Sequence, residues 1–455
     1  MPTPLPSFRQ RLAPCYHPAV IHVRPLFVAP LLPLFAAIAC GGDGAAAGIA
    51  GTSSGTTQPA GGSAGAAGGS AGGAGGASAG GGNGSGQPGA LGQPGSAMSS
   101  GGVDPGTPHI AFYGRRDTRD ARGPKFAFPS GRVVARFSGT SATVTLAHAV
   151  GYFGDVDCMW DVLVDGAPQA PLALRAGTST KTLASGLAAG THVVELYRRV
   201  ESAYGATQIL SLDFPGGTLL APPPAPTRRV EFVADSQFEG YGVEATSPTD
   251  ALCKPAPQPA SHNARKSAME LVASKYGAEL LATAYSGKGV EHNAAGPSDA
   301  VYWADIYGRS LGEDGASAWD FSRAPVDAVV LTIGGQDFDP DVVSQSVASE
   351  ESSFGPRYTA FVNIVRAKNP SAQIFLTIGP QLKESYPAGL RSALRRVFGN
   401  VVTTRAQAGD AKVTVVEIPE STPGEETGCY QHGGIGLHQK MAATIEAAIS
   451  QRLGW

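Results

Sequence analysis

The pattern of hydrophobic and polar residues divides the chain of 455 residues into regions of different character. Residues 41–107 are mostly Gly, Ala and Ser and contain few large apolar side chains. Such a segment cannot bury enough apolar surface to offset the entropy that is lost on ordering. We therefore interpret it as a flexible linker, and we expect the folded part of the chain to follow it.

Between residues 108 and 221, short apolar runs recur at close spacing, with turn residues between them and no helical period. One run leads directly into Asp165-Gly166, a dipeptide that is typical of hairpin turns. The pattern predicts an antiparallel β-sandwich, and the proline-rich stretch 222–229 is predicted to be a stiff linker after it. The strand candidates are 133–137, 142–146, 160–164, 192–197 and 209–214.

Residues 230–455 alternate between short apolar runs and longer segments with helical periodicity. This alternation predicts a parallel sheet with helices on both faces, and ligands of such sheets bind beyond the carboxyl ends of the strands. In the last helix candidate, apolar residues at helical spacing predict a core-facing stripe. The stripe consists of Leu437, Met441, Ile445 and Ile449. The strand candidates are 230–233, 280–285, 328–333, 373–378 and 413–418, and the helix candidates are 262–276, 354–368, 388–398 and 437–453.

Residues 1–40 have the pattern of an export signal. Three arginines precede or flank an apolar run at 26–39, which two prolines interrupt and which is too short to span a bilayer comfortably. The run ends in Ala37-Ile38-Ala39-Cys40, which resembles a bacterial lipobox with Cys40 as the lipidated residue. We favour a cell-surface or outer-membrane lipoprotein held by a lipid anchor. Cleavage by ordinary signal peptidase, which would release a free secreted protein, is the alternative.

Charge and cysteine content exclude several classes of function. The formal net charge is −3 and no basic block is present, so nothing indicates a nucleic-acid partner. The five cysteines include no C-x-x-C pair, which argues against a zinc ribbon or a thioredoxin-type site. We predict no metal and no cofactor.

The ends of the predicted strands carry the candidate chemistry. Ser236 follows the first strand, Ser286-Gly287-Lys288-Gly289 the second and Gly334-Gly335-Gln336-Asp337 the third, and His432 lies in the loop after the last. These loops converge on one edge of a parallel sheet. Together they supply a nucleophile, a backbone N–H, a side-chain amide and a base, which are the groups that acyl transfer to a serine requires.

These segments resemble the SGNH (GDSL) hydrolases and, more closely, carbohydrate esterase family 2. That resemblance implies an all-β jelly-roll domain followed by an α/β SGNH domain, with a flavodoxin-like parallel sheet of five strands, and it implies acetyl esterase activity. The segments that carry it are 228–242, 286–290, 319–338 and 428–441 in the second domain, and 183–187 and 192–199 in the first.

The resemblance also implies a role for individual residues. Ser236 matches the nucleophile and His432 the base that takes its proton. Gly287 and the backbone N–H of Ser236 match the oxyanion hole, and Gln336 stands where the family has an oxyanion asparagine. No cofactor is implied.

Three positions depart from the family pattern. Gly-Asp-Ser is Ala234-Asp235-Ser236 here, and Gln336 replaces the asparagine. Tyr430 stands two residues before the histidine, where the family pattern has a carboxylate. A backbone carbonyl could hold the imidazole instead, or Glu425 or Glu426 could substitute for the missing acid, and the sequence leaves both alternatives open.

Aromatic and cysteine residues add further hypotheses. Tyr241, Trp303, Trp319 and Tyr430 are predicted to stack on a sugar ring, with core packing as the alternative for the two tryptophans. A disulfide between Cys253 and Cys429 would tie the serine loop to the histidine loop, and two free buried thiols are the alternative. Asp337 is interpreted as a brace for its own loop rather than as an acid.

We therefore expect an exported serine esterase that removes O-acetyl groups from a polysaccharide such as xylan or mannan. Its expected partners are an acetylated polysaccharide or oligosaccharide and a membrane reached through the lipid anchor, and we expect a monomer. The substitutions at Gln336 and Tyr430 motivate an alternative, a non-catalytic carbohydrate-binding protein on a decayed esterase scaffold. A different acyl acceptor, such as peptidoglycan or a small acetylated metabolite, is a third hypothesis.

Overall fold

The computed structural model describes residues 109–254 and 258–455. The predicted signal peptide, the lipidation site Cys40 and the predicted linker lie outside the described residues and stay predictions. Among the residues that are described, no helix is both long and apolar enough to cross a membrane.

Two antiparallel sheets, of seven and four strands, form the first half of the described chain. Their apolar faces pack into one core, where Phe126 and Trp160 meet edge to face with ring centroids 6.0 Å apart. This is a β-sandwich, as predicted, whereas its assignment as a jelly roll stays a prediction. The strands are β1 (Ile110–Tyr113), β2 (Lys125–Phe126), β3 (Arg132–Gly139), β4 (Ala142–Ala149), β5 (Cys158–Val164), β6 (Ala167–Pro168), β7 (Leu172–Leu174), β8 (Gly177–Ala184), β9 (Gly190–Arg198), β10 (Ala206–Asp213) and β11 (Thr218–Leu220).

The paths of the two sheets follow from strand pairing. The larger sheet has the order β1-β3-β9-β5-β6, with β11 paired to β3 and β7 paired to β5, and the smaller has the order β2-β10-β4-β8. β9 therefore lies inside the larger sheet, and after Arg198 the chain crosses to β10 of the smaller sheet.

Five parallel strands form the third sheet, in the order β13-β12-β14-β15-β16. They are β12 (Arg229–Ala234), β13 (Glu279–Ala284), β14 (Ala328–Thr332), β15 (Gln373–Ile378) and β16 (Val413–Glu417). Counted within this sheet the order is 2-1-3-4-5, which is the flavodoxin-like arrangement. Each strand ends within one residue of its predicted limits, because continuous apolar runs mark strands that are buried on both faces.

Helices cover both faces of the parallel sheet. α1 and α5 pack on one face, α3 and α4 on the other, and the short α2 was not predicted. The predicted stripe on α5 is confirmed, because all four of its residues are fully buried against the sheet. The helices are α1 (Ala268–Tyr276), α2 (Trp303–Ile306), α3 (Val347–Lys368), α4 (Leu390–Gln407) and α5 (Ile435–Leu453).

Three helix limits differ from prediction by six residues or more. α3 was predicted from residue 354 but begins at Val347, where the Ser346 side chain accepts a hydrogen bond from the Ser349 N–H. The first helix was predicted from residue 262 but begins at Ala268, because Ser267 has extended backbone angles and its side chain accepts a hydrogen bond from the Glu270 N–H. The helix predicted at 388–398 was expected to end before Gly399, yet α4 continues to Gln407. Val401, beyond the glycine, is buried in the core, and this packing outweighs the cost of about 1 kcal/mol for glycine in a helix.

A buried ion pair joins the β-sandwich to the parallel sheet. Arg115 Nη2 donates to Glu231 Oε1 of the central strand β12 at 2.5 Å, and Arg115 Nη1 donates to the Tyr307 carbonyl oxygen at 2.6 Å. The Tyr307 hydroxyl donates to the other Glu231 oxygen at 2.8 Å. Removing either charged partner would leave the other buried and uncompensated, so this network holds the two halves in one arrangement.

Candidate active site

The carboxyl ends of the parallel strands bring the predicted chemical groups together at one edge of the sheet. β12 pairs in parallel with β13 on one side and β14 on the other, so the loops that follow these three strands meet. The loop between β16 and α5 contributes the histidine. One open cavity is lined by Ser236, Tyr241, Gly287, Gln336 and His432.

The nucleophile and base candidates are in hydrogen-bonding contact. His432 Nε2 lies 2.9 Å from Ser236 Oγ, and His432 Nδ1 lies 2.9 Å from the backbone carbonyl oxygen of Cys429. A carbonyl oxygen can only accept a hydrogen bond, so Nδ1 carries the proton of the neutral ring. The unprotonated Nε2 therefore faces the serine hydroxyl, which is the arrangement that a general base requires.

The carbonyl of Cys429 reaches the ring because the chain turns sharply after it. Tyr430 and Gln431 have φ values of 53° and 64°, in the left-handed region that side chains seldom adopt. Neither glutamate alternative is used, because Glu425 pairs with Lys440 at 3.1 Å and Glu426 accepts from Ser421 and Lys383. Of the two arrangements that the sequence left open, the structure contains the backbone carbonyl.

A disulfide fixes the loop that supplies this carbonyl. Cys253 and Cys429 are bonded, as predicted. Gly242 of the serine loop has a φ of 65°, and a Cβ at this position would lie 2.6 Å from the backbone N of Cys429. The serine loop and the histidine loop are therefore in direct backbone contact as well as covalently tied.

The imidazole of His432 lies in a closely packed aromatic group. The Tyr241 ring lies between two imidazoles, 4.6 Å from His432 and 4.4 Å from His262 between ring centroids. Burial lowers the pKa of His432 to about 4, so the ring is neutral at neutral pH. His262 accepts a hydrogen bond from the Gly242 N–H at 3.0 Å, and burial lowers its pKa to about 3. His262 was not predicted to belong to the site, because it fell inside a predicted helix.

The second loop presents a candidate oxyanion donor at a glycine. Gly287 has a φ of 69°, and a Cβ there would lie 2.9 Å from the Ala294 side chain. Asp337 is fully buried and accepts backbone hydrogen bonds at 2.6–3.0 Å from this second loop, so it braces the neighbouring loop and not, as had been predicted, its own. The donors are the N–H groups of Val290, Glu291 and His292.

Gln336 lies in the cavity wall, at the start of a single helical turn that follows β14. Its side-chain Nε2 lies 3.4 Å from Asp339 Oδ2. A hydrogen bond of this length is weak, so it does little to prevent the Gln336 amide from turning into the cavity. The assignment of Gln336, Gly287 and the Ser236 N–H to an oxyanion hole stays a prediction.

The four aromatic residues that were predicted to stack on a sugar ring lie in different places in the structure. Tyr241 lines the cavity, as expected of a sugar-binding residue. The stacking role predicted for Trp303 and Trp319 is wrong, because both side chains are buried in the core between the sheet and α3. Tyr430 packs against the disulfide rather than lining the cavity. The sequence analysis missed Tyr386, which lines the cavity with 57% of its surface exposed.

No group of three or more His, Cys, Asp or Glu side chains that could hold a metal ion occurs in the described part of the chain. The groups that line this edge of the sheet include the serine, the histidine and the side-chain amide of Gln336. This arrangement can activate a hydroxyl nucleophile and stabilise a developing oxyanion.

Comparison with known proteins gives consistent matches. A family model described as the N-terminal domain of carbohydrate esterase 2 matches residues 112–224. The chain is 34% identical over 352 residues to the cellulase/esterase CelE of Acetivibrio thermocellus, covering 77% of this chain but only 40% of that protein's length. It is 25% identical over 349 residues to an acetylxylan esterase / glucomannan deacetylase of Cellvibrio japonicus, covering 76% of this chain and 90% of the relative.

Solved structures give the same result for the fold. A family two carbohydrate esterase from Clostridium thermocellum, in complex with cellohexaose, has a TM-score of 0.68 and 32% identity. The match covers 76% of this chain and 99% of that structure. A family two carbohydrate esterase from Cellvibrio japonicus, at 24% identity and a TM-score of 0.67, shares the fold over 79% of this chain and 99% of its own.

Proposed function

Since this chain belongs to carbohydrate esterase family 2, and is thereby an ester hydrolase, we propose that it removes O-acetyl groups from a polysaccharide of the xylan or mannan type. The observation that carries this proposal is the contact of 2.9 Å between His432 Nε2 and Ser236 Oγ, with the Cys429 carbonyl setting the tautomer. The reaction passes through an acetyl-enzyme on Ser236.

The proposed mechanism gives one role to each of the groups at this edge of the sheet. Ser236 Oγ attacks the acetyl carbonyl carbon while His432 Nε2 takes the hydroxyl proton. The N–H groups of Ser236 and Gly287, with the amide of Gln336, stabilise the oxyanion. His432 then protonates the departing sugar oxygen, and water, deprotonated by the same nitrogen, hydrolyses the acetyl-enzyme.

The choice of substrate rests on the relatives and on the shape of the site. The relatives are named as an acetylxylan esterase / glucomannan deacetylase and as a family two esterase in complex with cellohexaose. The cavity is open to solvent and carries the rings of Tyr241 and Tyr386, which suit the apolar faces of sugar rings. A non-catalytic binding protein is not favoured, because its imidazole would have no need of a fixed tautomer facing a serine.

We also propose that the protein acts outside the cytoplasm, as a cell-surface lipoprotein anchored at Cys40. The signal-like sequence at residues 1–40 supports this, and so does the disulfide, since disulfides persist in oxidising compartments. The β-sandwich would be the jelly-roll domain of the family, and the protein a monomer.

Acetate release tests the proposed activity directly. The full chain is incubated with acetylated xylan, acetylated glucomannan and an aryl acetate, beside Ser236→Ala and the exposed-serine control Ser352→Ala. We expect release from the polysaccharides by wild type and by the control, with a loss of at least about 10³-fold in Ser236→Ala. Equal release by Ser236→Ala and wild type would contradict the assignment of the nucleophile, and inert wild type would contradict the esterase activity.

A further inference from the structure

A serine next to the candidate oxyanion glycine is held by two glutamates from different parts of the chain. The backbone N–H of Ser286 donates to Glu201 Oε2 at 2.7 Å, and the Ser286 hydroxyl donates to Glu239 Oε1 at 2.5 Å. Glu201 follows β9 of the β-sandwich, and Glu239 lies three residues after the nucleophile Ser236. One residue therefore joins the β-sandwich, the serine loop and the oxyanion loop.

Both carboxyl groups are almost completely buried, with Glu201 3% exposed and Glu239 4% exposed. No salt bridge to either carboxyl group occurs among the described residues, and one oxygen of each lacks a hydrogen-bond partner there. The guanidinium of Arg198, which lies close by, donates to the backbone carbonyl of Glu201 instead. Burying two uncompensated carboxyl groups is costly, so a placement of this kind needs a reason beyond packing.

We propose that Glu201 and Glu239 are positioning residues that fix the Ser286–Gly287 peptide, so that the β-sandwich domain completes the oxyanion hole. The proposal rests on the proposed esterase function. Gly287 has a left-handed φ and no side chain of its own, so its N–H direction depends on how the preceding residue is anchored. Ser286 is anchored at both its backbone N–H and its hydroxyl, and each anchor is a carboxyl oxygen.

The two carboxyl groups also make the anchor sensitive to pH. Burial raises the pKa of both groups, and the charge of Glu201 raises that of Glu239 further, so the pair keeps a proton at neutral pH. Arg198 opposes this effect, whereas Glu313 and Asp235 reinforce it, and the neighbouring hydroxyls of Tyr204 and Tyr285 stay neutral. When the last proton leaves at alkaline pH, two adjacent negative charges face one serine and the loop loosens.

Substitution of Glu201 distinguishes a role in positioning the Ser286–Gly287 peptide from a contribution to folding stability alone. Glu201→Ala removes the acceptor of the Ser286 N–H, and we expect kcat on an aryl acetate to fall about 10- to 100-fold, with KM changed less than twofold. Glu201→Gln keeps an acceptor oxygen, so kcat at neutral pH should stay within about threefold of wild type. Wild type should lose kcat at alkaline pH, and the same variant should lack this fall, because one of the two charges can no longer form.

Glu195→Gln is the matched control, since Glu195 is a β9 residue that pairs with Arg132 away from the site. Unchanged kcat in Glu201→Ala, a loss confined to KM, or an identical alkaline limb in wild type and Glu201→Gln would each overturn the proposal. Thermal unfolding of all variants identifies any that fail to fold. If Glu201→Ala fails to fold, the pH profile of Glu201→Gln still tests the proposal.

Hydrogen exchange tests the anchor without relying on activity. In the full chain, peptides that span residues 285–289 should exchange at least about tenfold faster in Glu201→Ala than in wild type, Glu201→Gln or Glu195→Gln. Equal exchange in all four proteins would overturn the proposed anchor even if the enzyme is active. If wild type is inactive, the esterase function fails while this measurement still decides whether Glu201 holds the loop.

Discussion

Replacement of Tyr430 by Asp tests whether the Cys429 carbonyl already performs the orienting role of a triad carboxylate. Tyr430 stands two residues before His432, at the position where the family pattern has an acid. Its φ of 53° is one that Asp tolerates better than most residues. The substitution therefore places a carboxylate near an imidazole whose Nδ1–H is already held at 2.9 Å.

The expected gain in rate is small because a stronger acceptor would only replace an existing one. A hydrogen bond between neutral groups contributes about 1 kcal/mol, and one to a charged group about 1.5–3 kcal/mol. The difference of about 0.5–2 kcal/mol corresponds to about 2- to 30-fold in kcat. A histidine with nothing on Nδ1 would instead gain a factor of about 10⁴, the loss that follows when the acid of a serine protease triad is disabled.

The assay is steady-state hydrolysis of an aryl acetate at pH 7 by wild type, Tyr430→Asp and Tyr430→Asn. The asparagine variant has the same shape without the charge, so it controls for the lost packing of the phenol ring on the disulfide. Similar unfolding temperatures for the two variants would show that they are equally folded. A gain of 10³ or more in Tyr430→Asp but not in Tyr430→Asn would refute the role of the carbonyl and would revive the decayed-scaffold alternative.

Three further outcomes follow from the site. Because neutral His432 is the active form and burial lowers its pKa to about 4, kcat/KM for an aryl acetate should stay level from pH 7 to pH 5 and fall by half near pH 4. An acid limb at pH 6–7, where an ordinary histidine titrates, would contradict this. Gln336→Ala should lower kcat about 10²–10³-fold and Gln336→Asn by less than tenfold, and a loss below threefold in the alanine variant would exclude the amide as an oxyanion donor. Replacing Cys253 and Cys429 together by Ser should lower the unfolding free energy by about 2–5 kcal/mol in urea titrations, because the bond spans a sequence separation of 176; a change below about 1 kcal/mol would be inconsistent with that.

The sequence predicted those parts of the molecule that depend on side-chain periodicity and on topology. The α5 stripe from Leu437 to Ile449 faces the sheet because a 3.6-residue repeat leaves no other face apolar. Ser236 and His432 meet because the ends of parallel strands share one edge. The helical repeat was sufficient for the first prediction, and the parallel arrangement of the strands was sufficient for the second.

The parts that escaped prediction depend on backbone conformation or on distant contacts. The carbonyl that holds His432 is available only because Tyr430 and Gln431 adopt left-handed backbone angles, and neither residue type predicts such a turn. Glu201 reaches Ser286 from another domain, so no spacing in the sequence connects them. Tryptophan suits a core as well as a sugar platform, and only the fold shows that Trp303 and Trp319 belong to the core.

The bond between Cys253 and Cys429 gives the active site an order of assembly. Of the three cysteines in the described residues, synthesis presents Cys158 first, Cys253 next and Cys429 last, so the earliest pairing open to these three thiols is the non-native one between Cys158 and Cys253. In the folded β-sandwich Cys158 is completely buried beside the Arg198 guanidinium, where no second thiol can reach it. Folding of the β-sandwich before Cys253 is paired would thus reserve Cys253 for Cys429, so the bond that fixes the His432 loop depends on a core that lies outside the candidate site.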